Sequence, residues 1–195
     1  VPIKWARRTV DHDDYVLLRI STDEGIEGWA EHVETISPQG NSGAAAVAHG
    51  IKDLFEPVLL GIDPLRPELT RSALRQVRGW DQVHPMFDIA LTDIRSKNAG
   101  LPCWKFMGGW TERVKVAWLV NRGPIEEMLR DATSAAEQYG FKAMKVKIGI
   151  NPVEELETMR QLRRTLGPDM FIWVDGNSTY TQEQALWIAE GLAEL

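Results

Sequence analysis

The sequence predicts an α/β fold in which an α+β domain precedes the first three βα units of a TIM-type (β/α) barrel. Two observations lead to this prediction. From residue 114 onwards, short apolar runs typical of strands alternate with amphipathic helical patterns, and the strands begin at residues 114, 143 and 170. Before residue 113, a strand hairpin is followed by helical patterns only, which is typical of an α+β domain.

Residues 1–112 form the predicted α+β domain, which is expected to lack its first strand because the chain opens on a loop-like segment. The turn residues Thr22–Gly25 separate two strand-like runs and predict a hairpin. Farther on, apolar residues at three- and four-residue spacing predict helices. The predicted elements are strands Tyr15–Ile20 and Ile26–Glu31, a helix that ends near Leu60, and helices 67–78 and 85–97.

Residues 113–195 form the predicted barrel part. Gly140 and Gly167 end its first two helices, and Pro152 lies near the start of the second, where a missing N–H is not needed. The run Thr181–Gln184 fits a capping box that begins the third helix. The predicted strands are 114–120, 143–148 and 170–175, and the predicted helices are 124–139, 152–166 and 181–195.

The repeat contains only three βα units, which is too few for a complete barrel. A complete barrel needs about 250 residues, so residues 113–195 are expected to be the first part of a barrel that this chain does not complete. An open three-stranded sheet is the alternative. No glycine-rich phosphate loop follows any of the strands, so the sequence does not favour nucleotide binding.

Composition excludes several classes of protein. The net charge is -6 and basic residues are dispersed, so no nucleic-acid partner is expected. No apolar run approaches the roughly 20 residues that span a membrane, and the first residues lack the apolar core of a signal peptide. The single cysteine, Cys103, excludes an internal disulfide. A cytoplasmic location without a membrane partner is therefore expected.

Two lysines, Lys145 and Lys147, lie one residue apart in the second strand of the repeat. Alternate residues of a strand share a face, so both ammonium groups point one way while Met144, Val146 and Ile148 point the other. Neighbouring ammonium groups repel one another, which suits a lysine that takes a proton from carbon better than it suits a solvated surface. An edge strand with two solvated lysines is the alternative.

A carboxylate and an amide follow one another at the end of the third strand. Asp175 and Asn177 project from its carboxyl end, where barrel enzymes place their active sites. Asp175 lies one βα unit after Lys147, so the two are expected to be neighbours in space. Asp175 could form a plain ion pair with the lysines, or it could be one ligand of Mg²⁺, which binds hard oxygen ligands. The ion would bind a substrate carboxylate and stabilise the dianion formed when a lysine removes the adjacent proton.

Taken together, these motifs resemble the enolase superfamily, in its mandelate racemase and muconate lactonizing enzyme branch, over essentially the whole chain. Lys145-Val146-Lys147 is similar to the lysine motif of that family's second barrel strand, and Asp175-Gly176-Asn177 is similar to the metal-ligand motif of its third. Other similar segments belong to the N-terminal capping domain and to the link into the barrel: Glu24–Glu31, Asp88–Asp93, Gly100–Pro102 and Gly108–Gly109.

The resemblance implies a role for each residue of these motifs. Lys147 would be the acid/base that exchanges the proton α to a carboxylate, and Lys145 would tune its basicity and contact the substrate carboxylate. Asp175 would be the first Mg²⁺ ligand, and Asn177 would bind substrate at the same strand end. Trp118, at the end of the first barrel strand, would contact substrate, with core packing as the alternative.

The resemblance also implies sites elsewhere in the protein. The remaining metal ligands and the second base would lie on later strands, beyond residue 195, so the 195 residues alone are expected to be inactive. A loop near the N-terminus would close over the site and select substrates, which makes Trp5, Arg7, Arg8 and His12 candidate specificity residues.

The expected function is Mg²⁺-dependent abstraction of a proton α to a substrate carboxylate, giving an enolate intermediate in a muconate-lactonizing-like cycloisomerase or epimerase. The run Val114–Trp118 resembles that branch slightly more than the racemase branch. A mandelate-racemase-like racemase or an acid-sugar dehydratase is the alternative. A non-catalytic fragment or half-barrel subunit that needs a partner is the alternative from another class. The expected partners are a small-molecule carboxylate substrate and further copies of the chain in a homo-oligomer.

Overall fold

The computed structural model describes residues 3–4, 9–10, 12–33 and 43–195. It divides into two compact units, of which one is Asp13–Glu112 and the other is Arg113–Leu195 with the described residues before Asp13. Strands β1 (Ile3–Lys4) and β2 (Thr9–Val10) form a short antiparallel pair. Trp5, Arg7 and Arg8 lie outside the described residues. Among the described residues, no helix has both the length and the apolar character that a membrane span requires.

The unit Asp13–Glu112 packs a two-stranded antiparallel hairpin against helices. The predicted hairpin is present, and its side chains alternate between faces, since Val16 and Leu18 are buried while Leu17 is exposed. The hairpin approaches a helix so closely at Gly28 that an added Cβ would lie 2.0 Å from the Ala90 carbonyl oxygen. Its elements are β3 (Tyr15–Ser21), β4 (Glu27–Val33), α1 (Ala44–Gly50), a π-helical turn (Ile51–Phe55), α2 (Glu56–Leu59), α3 (Pro67–Leu74), α4 (His84–Asn98) and α5 (Cys103–Phe106).

The unit that contains Arg113–Leu195 is built on a three-stranded parallel sheet, with a helix after each strand. The strand order is β5-β6-β7, and the register pairs Trp118 with Met144 and Lys147 with Asp175. The parallel sheet confirms the predicted βα repeat. Its elements are β5 (Trp118–Val120), α6 (Ile125–Tyr139), β6 (Ala143–Lys147), α7 (Pro152–Leu166), β7 (Phe171–Asp175) and α8 (Gln182–Ala193).

The largest differences between predicted and observed elements are one strand and one helix, each predicted four residues too long. The strand predicted at 114–120 is observed only at Trp118–Val120, where it pairs with β6, and in this register residues 114–116 would lie before Ala143, the first residue of β6. The helix predicted at 67–78 ends at Leu74, since the amides of Gln76 and Val77 bond to carbonyl oxygens three residues back. The short helix α5 was not predicted at all.

Candidate active site

Strand β6 separates its side chains into two faces, as the sequence predicts. Met144 and Val146 have no exposed surface and pack against residues of α6 and α7. Lys145 and Lys147 occupy the alternate positions and therefore point to the other face of the sheet. Lys147 is only 9% exposed, so the alternative of two solvated lysines does not hold for it.

The two lysines converge on one carboxylate at the carboxyl ends of the strands. Oδ2 of Asp175 lies 2.9 Å from Nζ of Lys145 and 2.8 Å from Nζ of Lys147. Lys147 Nζ also donates a hydrogen bond to Oδ1 of Asn177 at 2.9 Å. The structure therefore brings together four of the five site residues predicted on the barrel strands, and the spacing of one βα unit between Lys147 and Asp175 places them side by side.

These contacts fix the charge of the cluster. The Lys147 and Lys145 ammonium groups, with the Asn177 backbone N–H, hold the pKa of the Asp175 carboxyl well below its usual range. Asp175 is therefore ionised at neutral pH. With both lysines protonated, the three side chains carry one net positive charge, which favours an anionic ligand such as a carboxylate.

A tight turn after β7 directs Asn177 back towards the lysines. Asn177 and Ser178 have φ angles of 47° and 56°, in the left-handed region that non-glycine residues seldom adopt. The Asn177 backbone N–H donates to Oδ1 of Asp175 at 3.0 Å. Asparagine tolerates this conformation better than most residues, so its presence here meets a backbone requirement as well as supplying a polar group.

Trp118 lies apart from this cluster. Its register partner is Met144, so it occupies the helix-covered face of the sheet rather than the face of the lysines. Its indole N–H donates to Asp131 at 3.1 Å, and its ring stacks on Tyr139 with the centroids 5.9 Å apart. The structure thus favours core packing for Trp118. The position of β5 that shares the face of Lys145 is Leu119.

Glu155 is a polar residue near the site that the sequence interpretation missed. It lies in the first turn of α7, is 8% exposed, and accepts hydrogen bonds from the backbone amides of Gly149 and Ile150. The Tyr180 hydroxyl also donates to it. Burial and the bonded Glu155 carboxylate raise the pKa of Tyr180, which keeps that hydroxyl protonated. An acidic residue at four-residue spacing before the buried Met159 was the available sequence signal.

The cluster fits part of a magnesium site. Asp175 and Asn177 provide a carboxylate and an amide oxygen, which are ligand types that Mg²⁺ accepts. Within the described ranges, however, no group of three or more His, Cys, Asp and Glu side chains is placed to hold a metal ion. A complete site would need additional oxygen ligands.

Two family models match the chain. The model for "Mandelate racemase / muconate lactonizing enzyme, N-terminal domain" matches residues 1–108, and the model for "Enolase C-terminal domain-like" matches residues 127–195. The chain belongs to the mandelate racemase / muconate lactonizing enzyme family. This membership confirms the resemblance that was based on the lysine and aspartate motifs.

Curated relatives of the chain include two isomerases. It is 26% identical to an L-Ala-D/L-Glu epimerase of Clostridium acetobutylicum, with 95% of this chain and 51% of the relative covered. It is 30% identical to a D-galactarolactone cycloisomerase of Agrobacterium fabrum, with 98% of this chain and 52% of the relative covered. The chain therefore spans about half the length of these relatives.

Solved structures share the fold. A dipeptide epimerase from Enterococcus faecalis, crystallised with Mg and the dipeptide L-Leu-L-Tyr, matches with a TM-score of 0.90 at 23% identity. The match covers 99% of this chain and 54% of the epimerase. It confirms the predicted fold class, an α+β capping domain followed by βα units of a (β/α) barrel, and it decides against an open three-stranded sheet.

Proposed function

We propose that the intact protein is an enzyme that removes a proton α to a substrate carboxylate, with Lys147 as the acid/base. The observation that carries this proposal is the placement of Lys147. Its side chain is 11% exposed, and its Nζ is held by Asp175 and Asn177 at the carboxyl end of the sheet, where barrel enzymes bind substrate.

The two hydrogen bonds prepare Lys147 to act as a base. An ammonium group has three N–H donors, and Asp175 and Asn177 accept two of them. When Lys147 has lost one proton, its remaining N–H bonds can keep both contacts, and its lone pair occupies the third direction. That lone pair is the acceptor for the substrate proton, so the same contacts that hold the lysine also orient it.

Lys145 and Asp175 are assigned to the substrate carboxylate. Lys145 is 37% exposed and uses one donor on Asp175, which leaves donors for a ligand carboxylate. Asp175 would provide one ligand of Mg²⁺, and Asn177 would support the substrate at the same strand end. When bound there, the ion supplies positive charge that stabilises the enolate dianion. The remaining ligands are not among the described residues.

The relatives support the proposal of an isomerase that acts on a small-molecule carboxylate or lactone. An epimerase removes a proton from the carbon beside a carboxyl group, and a cycloisomerase removes or delivers a proton at that carbon, depending on whether the lactone opens or forms, so both use the proton transfer assigned to Lys147. A muconate-lactonizing-like cycloisomerase or epimerase is therefore proposed. A racemase or an acid-sugar dehydratase would use the same first step and differ in the later steps of the reaction.

The test is deuterium incorporation in D₂O. Wild-type intact protein with Mg²⁺ is incubated with L-Ala-L-Glu, L-Leu-L-Tyr and D-galactarolactone, and deuterium α to the carboxyl group is measured by NMR. Lys147→Ala should lose incorporation by a factor of about 10³ or more, as expected for removal of a general base. Lys142→Ala is the matched control, because Lys142 is an exposed lysine just before β6. Equal incorporation by Lys147→Ala and wild type would show that another group removes the proton.

A further inference from the structure

One buried carboxylate joins the two loops that carry the site. Oε1 of Glu155 accepts hydrogen bonds from the amides of Gly149 at 2.9 Å and Ile150 at 3.1 Å, in the loop that follows Lys147. Oε2 accepts from the Tyr180 hydroxyl, in the loop that follows Asp175. We call Glu155, Tyr180 and the two amides the Glu155 brace.

The brace contacts residues that are adjacent in the chain to the reacting groups. The Tyr180 ring packs on Gly176, the residue after Asp175, because a Cβ added to Gly176 would lie 3.4 Å from that ring. The Thr179 hydroxyl lies 2.5 Å from the Gly149 carbonyl oxygen and 2.7 Å from that of Gly176, so its single proton is shared between the other loop and its own. Movement of either loop would therefore be transmitted to a residue adjacent to the lysine–aspartate cluster.

The loop after β7 has a backbone conformation that needs such support. Asn177 and Ser178 have positive φ angles of 47° and 56°, which L residues rarely adopt, whereas Gly149, with a φ of 127°, has no side chain to strain its backbone. Conformations of this kind persist only when the surrounding structure holds them. The Asn177 turn is the one that presents both the amide oxygen to Lys147 and the backbone N–H to Asp175.

We propose that Glu155 and Tyr180 are positioning residues, which keep the Asn177 turn in place and so hold Lys147 Nζ between Asp175 and Asn177. Neither residue touches the reacting atoms. The competing explanation is a local one, in which Glu155 only caps the loop before α7 and has no effect on the turn after β7.

Amide hydrogen exchange of the intact protein separates the two explanations and needs no substrate. Glu155→Gln and Tyr180→Phe should each speed exchange at Gly149, Ile150 and Asn177 by about tenfold or more, the factor that corresponds to loss of one hydrogen bond to a charged group. The amide of Gln184, which the cap residue Thr181 holds, should stay within about twofold of wild type. The controls are Glu154→Gln, the exposed neighbour, and Tyr139→Phe, an exposed tyrosine of α6.

Faster exchange at Gly149 and Ile150 without a change at Asn177 would favour the local explanation and overturn the proposal. Unchanged exchange at all three amides would overturn it as well. An equal increase in the exchange rate of the Gln184 amide would indicate that the substitution destabilises the whole domain, and it would count against a positioning role.

A second experiment measures catalytic activity, and it rests on the proposed function. In the deuterium assay, Tyr180→Phe should lower kcat by about ten- to a hundredfold while KM changes by less than about threefold, because misplacement of a base affects the chemical step more than binding. Wild-type kcat in Tyr180→Phe, in an assay where Lys147→Ala is inactive, would overturn the positioning role alone. Full activity of Lys147→Ala would instead contradict the proposed function, and amide exchange would still decide whether the brace holds the turn.

Discussion

Replacement of Asp175 by asparagine tests whether the lysine cluster depends on one carboxylate. The substitution keeps the shape of the side chain and removes the negative charge that Lys145 and Lys147 share. The bond to Lys147, whose side chain is 11% exposed, falls in the range of about 1.5–3 kcal/mol for hydrogen bonds to charged groups. The bond to the more exposed Lys145 is a surface ion pair of about 0.2–1 kcal/mol.

The expected loss of stability is about 2 kcal/mol, at the low end of that sum, because the asparagine oxygen can still accept one hydrogen bond. Urea unfolding of the intact protein, followed by circular dichroism at pH 7 with EDTA present, measures it as a lower midpoint at an unchanged slope. Asp169→Asn is the matched control, since Asp169 is exposed just before β7, and it should change stability by less than about 0.5 kcal/mol.

The pH dependence of stability provides a second measurement of the same interaction. The pKa of Asp175 is lowered in the folded protein, so its contribution is fully present above the unfolded value of about 3.9 and is lost as pH falls through the folded value. The gap in stability between wild type and Asp175→Asn should therefore be full at pH 7 and shrink below about pH 4. Equal stability at pH 7, or a gap that is the same at pH 7 and pH 3, would refute the reasoning.

Three further predictions concern metal binding, close packing and helix capping. Asp175→Asn in the intact protein should weaken Mg²⁺ binding in calorimetric titration and abolish deuterium exchange, and full exchange by that variant would exclude the metal role. Gly28→Ala should destabilise the protein by about 1–3 kcal/mol in thermal unfolding, because its Cβ would meet the Ala90 carbonyl oxygen at 2.0 Å, whereas Gly123→Ala, which has space, should not. Thr181→Ala should cost about 1 kcal/mol in urea unfolding through loss of the capping box at α8, and an unchanged midpoint would show that the cap does not stabilise the fold.

The βα repeat and the lysine–aspartate cluster could be predicted because each depends on short-range rules. Alternation along a strand places Lys145 and Lys147 on one face, and one βα unit brings the end of β6 beside the end of β7. The positions of Gly140, Pro152 and Thr181 predicted the helix limits within one or two residues, since a glycine stop, a first-turn proline and a capping box act locally.

Errors in the prediction came from features that depend on partners distant in sequence. The strand at 114–120 was too long because its length depends on where β6 begins, and not on its own apolar residues. For Trp118, the sequence left substrate contact and core packing open, and the register against Met144, which places it on the helix-covered face, favours packing. A shift of one residue in register would have reversed that outcome.

By itself, the sequence determined the order of strands and helices and the pairing of Lys147 with Asp175, because these follow from periodicity and spacing along the chain. It indicated the family through the resemblance of its motifs to those of known enzymes. Only the tertiary structure decided which groups surround that pair. The Asn177 turn and the Glu155 brace join residues about 25–30 positions apart, and such contacts depend on how two loops meet in space. The hydrogen-bond partner of a buried polar group therefore depends on which loops the fold brings together, because a buried donor or acceptor is almost always paired with a group nearby in space.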